Sequence, residues 1–371
     1  MLSRKALGCL GTSGAFLVYT WYTKPNPYPP LTWSKEAREF PDHISAGLGP
    51  FQYYCPEQGA VSNPEDPRLK PGLDAPASGA SGIRMMCAKD YTELESRIGE
   101  IRKSLTKRPL PHVVANSPIQ KLGCPVTVTM KRNLSSMPFS SIITMDERRE
   151  VERLAVEALG SATYHSYIGS RSIPEKQMSP FLRDVLRSQG LLFEAPWTVY
   201  DLSCGSGRHW PDARGVSIVD AENSVCVWVN GEDHVEIVAV DPEGDVIKAA
   251  AAAARTARRL EATLPSAKQE GYLTMKPENS GLGIKIFTSV SLPFLSRHPK
   301  FASVCSALRI RSVLVDRVSF VWNLMSFEQV GLSEEECAER TAKGISKILE
   351  IEKTFAQNTA TGEDLITNLT S

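Results

Sequence analysis

The chain of 371 residues has no charge excess of either sign, since 42 Lys and Arg balance 42 Asp and Glu. No global field draws in a polyanion, so nucleic acid is not an expected partner. Histidine is scarce, at six residues, and the eight cysteines (Cys9, Cys55, Cys87, Cys124, Cys204, Cys226, Cys305 and Cys337) are scattered. There is no CxxC pair and no histidine at zinc-finger spacing. This argues against a metal site and a disulfide framework, and fits free thiols in a reducing compartment. The GSG within "SCGSGRHW", Ser203 to Trp210, is not followed by GK[ST], so it is no P-loop. A nucleophile elbow and an internal repeat are also missing.

Acid is missing from the N-terminus: Glu36 is the first acidic residue. Arg4 and Lys5 precede 18 uncharged residues, Ala6 to Thr23, and Lys24 follows. As a helix this stretch reaches about 27 Å at about 1.5 Å per residue, short but sufficient for a bilayer core of about 30 Å. Tyr19, Trp21 and Tyr22 sit at one end, where an aromatic belt lies. Residues 1–24 are therefore expected to be a membrane anchor, with 6–23 contacting lipid. A mitochondrial presequence and a cleaved secretory signal are the competing readings. Residues 25–37 carry four prolines and form an extended tether.

Residues 38–120 form a small, mainly helical region. Much of it is Pro-, Gly- and Ser-rich loop, and Leu94, Ile98 and Ile101 predict one helix over 90–105 with Asp90 as its N-cap. Residues 121–356 mix strands and helices. "VTVTM" at 126–130, 224–231, 234–240 and 285–292 read as strands. Met145–Leu159, Asp245–Leu264 and Ser333–Phe355 read as helices, the alanine run at 249–254 being a closely packed helix and not low complexity. "ARTARR", Ala254 to Arg259, reads as a solvated face. Residues 357–371 are taken as a tail. The class is α+β.

Between two strand-like runs lies "GYLTMKPENSGLGIKI", Gly271 to Ile286, with glycines that permit close backbone approach. It resembles the GYLTFCPTNLGTTIR loop of the phosphagen kinases, the creatine and arginine kinase family. Further segments resemble that family in the same order: "GLDAPASGASG" at Gly72–Gly82, "VTMKRNLSSMPF" at Val128–Phe139 (STRVRCGRS), "RHWPDARG" at Arg208–Gly215 (RDWPDARG), "VWVNGEDHVEI" at Val227–Ile237 (VWVNEEDHLRI) and "NLMSFEQVGLSEEE" at Asn323–Glu336. The resemblance spans roughly 38–356. It implies a small helical N-domain and a larger domain with a curved antiparallel sheet flanked by helices, of the phosphagen-kinase and glutamine-synthetase type. It also implies phosphoryl transfer between Mg-ATP and a guanidino substrate, which rests on positioning and on cations that neutralise phosphate.

Placed on the family's motifs, most of those cations are gone. The STRVR pair becomes Met130 and Arg132, so only Arg132 is kept. The EEDHLR arginine is Glu236, and the loop arginine is Lys285, which keeps a charge but loses the bidentate fork. The family's flexible RGTRGE segment falls on Arg309–Arg317, with Leu314 at its phosphate arginine. The reactive cysteine is Lys276, while Glu232 matches one catalytic glutamate. Asn279, Gly281 and His234 persist, each with an ordinary structural use. Glu236 is the costliest change. Two unit charges about 4 Å apart interact by about 4 kcal/mol at an effective dielectric of about 20, and reversing the sign roughly doubles the difference.

The expectation is a catalytically inactive relative with a vestigial Mg-ATP site (Arg132, Glu236, Lys285, Asn279) and neither cofactor nor metal. It would be a structural accessory subunit of a membrane complex, such as a respiratory complex or ATP synthase. Its place would be the mitochondrial inner membrane, with the folded domain in the intermembrane space. A homodimer or a pseudo-dimer with a paralogue is open. The alternatives are an active guanidino phosphotransferase working through Arg132, Glu232 and Asn279, and a nucleotide sensor without turnover.

Overall fold

Alternating apolar residues build the sheet in the computed structural model, which describes residues 82–370, except 197, 198 and 223, together with Arg68. The strands are β1 (Val126–Arg132), β2 (Tyr164–Ser166), β3 (Gly215–Asp220), β4 (Val225–Val229), β5 (Val235–Asp241), β6 (Ile284–Ser291), β7 (Ile310–Asp316) and β8 (Val321–Ser326). They form one eight-stranded sheet in the order β2-β3-β4-β5-β1-β6-β8-β7, antiparallel throughout.

Helices among the described residues are α1 (Asp90–Glu93), α2 (Glu95–Leu105), α3 (His112–Ala115), α4 (Met145–Leu159), α5 (Pro180–Ser188), α6 (Val199–Ser203), α7 (Val246–Glu261), α8 (Phe301–Ala307), α9 (Glu334–Gln357) and α10 (Thr359–Thr370). Their ends follow from capping. Thr144 and Glu147 make a reciprocal capping box before α4, and Asp245 and Ser333 accept amide hydrogens at the starts of α7 and α9. The alanine run lies in α7, where Ala249, Ala250, Ala252, Ala253, Ala254 and Ala257 are buried against β1, β5 and α9. Small side chains let that helix sit close to the sheet.

Period-two geometry sorts the central strands into two faces. Val126, Val128, Met130, Ile237, Ala239, Ile284 and Ile286 join α7 in the main core. Thr129, Lys131, Glu236 and Lys285 lie on the opposite face, with Lys131 directly across from Glu236 and Thr129 across from Lys285.

Three expectations are revised. The helix over 90–105 is two helices broken at Leu94, and Asp90 does not cap it. The buried Asp90 carboxylate instead accepts from the Met86 and Cys87 amides (2.6 and 3.0 Å) and pairs with Arg68 at 2.9 Å. The 357–371 tail contains α10, whose Ile366 and Leu369 are buried in a second core with α8 and α9. The stretch Arg309–Arg317, placed on a flexible segment by resemblance, is edge strand β7, bulged between Leu314 and Asp316. The anchor, the tether and the segment 72–81 lie outside the described residues. Among the described residues no helix is long and apolar enough to cross a membrane.

Candidate functional site

Side chains from five pieces of chain meet on the face of the sheet centre opposite α7: β1, β5, the β4–β5 turn, the loop 271–283 and α6. The loop is closed by its own backbone, since the Tyr272 and Gly281 amides exchange hydrogen bonds with each other's carbonyls (2.7 and 3.0 Å). Pro277–Asn279 form one 3₁₀ turn inside it. Gly281 has φ +107°, and a Cβ there would lie 2.4 Å from the Gln329 carbonyl oxygen. Its close approach is thus to this protein's own backbone. The N-terminal region buttresses the loop, with the Met85 amide donating to Met275 O (2.7 Å) and the Tyr91 hydroxyl to Thr274 O (2.8 Å).

Glu232 is the hub. Its carboxylate takes Lys131 Nζ at 2.6 Å and Lys276 Nζ at 2.7 Å. Lys276 also reaches Asp201 at 2.9 Å, and Lys131 reaches Glu236 at 3.1 Å. Asn279 Nδ2 makes a longer bond of 3.4 Å to Glu232. Burial alone would raise the Glu232 pKa, but the two ammonium groups outweigh it and hold the carboxyl well below the usual range. Burial likewise opposes the charge on Lys131 and Lys276, and their carboxylates reverse that effect, so both stay protonated. Lys276 stands where the resembling loop has its cysteine. Cys204, near enough to feel the Lys276 charge, is a buried thiol pushed up to about 12.

Glu236 is built into the backbone. Its Oε1 accepts the Glu232 amide at 2.6 Å and the Asp233 amide at 3.2 Å, while Oε2 holds Lys131. A Cβ on residue 231 would come within 2.8 Å of Glu236 Oε1, so Gly231, where the family motif has glutamate, makes room for this carboxylate. Asp233 ties the turn to two neighbours, accepting from Asn133 Nδ2 (2.6 Å) and the Met275 amide (2.8 Å). Burial and the adjacent acids lift its pKa to about 6 despite Lys131.

His234 is a structural bridge. Its Nδ1 accepts the Leu134 amide at 3.0 Å, which leaves Nε2 to donate to Pro138 O at 2.9 Å. Burial holds its pKa down to about 3.

Arg132 is not part of this cluster. Strand alternation turns it to the α7 side, where Nε donates to Glu261 (2.6 Å) and Nη2 to Glu334 (3.3 Å). The guanidinium stacks on Tyr272, 3.3 Å from the ring centroid. The expectation that Arg132 is the surviving cation of the nucleotide set does not match this placement. Lys131, which the motif comparison passes over, occupies the cleft face instead. The signal for it was available: with Val126, Val128 and Met130 apolar, residue 131 belongs to the opposite face. Asp201, Asp233 and Glu261 were also missed, because nothing local in the sequence marks a long-range ion-pair partner.

Lys285 differs from its neighbours. It lies over Phe287 at 5.2 Å and makes no salt bridge among the described residues. Burial, with Lys131 and Lys276 nearby, lowers its pKa to about 8.

Residues 150–355 match the family model of the ATP:guanido phosphotransferase C-terminal catalytic domain, more than half of the chain. The chain belongs to the ATP:guanido phosphotransferase family. It is 31% identical to the M-type creatine kinase of Gallus gallus over 224 residues, 57% of this chain and 58% of that protein. Against the Homo sapiens M-type creatine kinase it is 31% identical over 222 residues, 56% of this chain and 57% of that protein. The chain thus spans less than two thirds of the length of these relatives. A lombricine kinase crystal structure superposes with a TM-score of 0.62 at 24% identity, covering 83% of this chain and 89% of the other. The duplicated taurocyamine kinase from Schistosoma mansoni gives 0.65 at 19% identity, covering 78% and 43%. These structural likenesses establish the phosphagen-kinase fold, an antiparallel sheet with flanking helices.

Proposed function

We propose that this family member does not transfer phosphoryl groups and serves as a structural accessory subunit of a membrane complex. One observation carries the first half. Lys131 and Lys276, the cleft ammonium groups, are already neutralised by Glu232, Glu236 and Asp201 at 2.6–3.1 Å. A phosphagen kinase needs open cations for Mg-ATP and open carboxylates for a guanidinium. Here each set satisfies the other. The residues present therefore do not fit a triphosphate, and Lys285, lowered to a pKa of about 8, is a weak substitute for a phosphate-binding arginine. Breaking a buried pair to admit substrate costs about 3–5 kcal/mol.

The second half rests on the acid-free, basic N-terminus and its 18 uncharged residues. On this reading the membrane is the mitochondrial inner membrane. Residues 1–5 are on the matrix side and the folded domain is in the intermembrane space. After mild detergent extraction the native protein should co-migrate with a large membrane assembly, and migration as a free monomer overturns the role. Coupled assays with ATP and arginine, creatine or taurocyamine should show no turnover above the protein-free rate. The relatives named as creatine kinases and the in-place, ionised Glu232 favour a second reading, a divergent guanidino phosphotransferase. Turnover that disappears in Glu232→Gln would establish it.

A further inference from the structure

We draw no further inference here: the strongest candidate, the exposed apolar patch that Val313, Leu314 and Val315 of edge strand β7 form with Val318 in the turn to β8, carries nothing because nothing in the structure shows what covers it.

Discussion

Glu236 shows how one side chain changes its meaning with context. Read against the family motif it is an acid where a phosphate-binding arginine belongs. In the fold it accepts two amide hydrogens and an ammonium, all within 3.2 Å. Its value here is structural, and Gly231 leaves the space it occupies. Glu236→Gln should therefore destabilise the protein by about 2–3 kcal/mol, the scale of charge-assisted bonds weakened around a buried lysine. Urea midpoints at neutral pH measure this. A change below about 0.5 kcal/mol would mean that the carboxylate is a passive leftover. On the proposed reading, Glu236→Gln should show no phosphoryl transfer, because Lys276 and Glu232 still occupy each other.

Among the elements, α10 offers the cleanest test of how far the family domain extends. Ile366 is fully buried with Phe301, Val304 and Ile351, and Gly362 packs where a Cβ would lie 2.7 Å from the Phe355 ring. Ile366→Ala should cost about 2–4 kcal/mol with little change in the cleft. Circular dichroism melts check it, and a loss under about 1 kcal/mol would make α10 an appendage. Elements with strong local signals were legible in the sequence. Met145–Leu159 has a capping box, Ser333 caps α9, and β1 alternates cleanly. The break at Leu94 was not legible, because the 90–105 periodicity continues through it, and the Asp90 carboxylate was misread as a cap because its partner Arg68 is 22 residues away. β7 was obscured because alignment to a loop outweighed the apolar run Val313–Val315, which the structure uses as an edge strand. Motif order singled out Glu232, Lys276, Glu236 and Asn279, and the fold brings these four side chains near one another. Arg132 was lost and Lys131 missed by one position, and in a strand one position exchanges the two faces.

The whole molecule should respond to acid through groups buried in the wrong charge state for low pH. His209 and His234 are held to about 3, below the ordinary value of 6.5. The unfolded chain then binds more protons than the native one between those limits. Stability is full above about pH 6.5 and falls as pH drops toward 3. Glu232, also depressed, adds a loss below the ordinary carboxylate value of 4.5. Asp233 works in the opposite sense. Raised from 3.8 to about 6, it holds its proton in the fold where the unfolded chain has released it, so it adds stability as pH falls through that window. Glu152, Asp90 and Glu352, raised by burial, act in the same sense as Asp233, while His165, lowered by burial, acts with the other histidines. Asp233→Asn removes one opposing group, and urea midpoints between pH 6 and 4 should then fall more steeply than in the wild type. A slope in Asp233→Asn no steeper than the wild type's would mean that Asp233 is ionised in the folded state over this range.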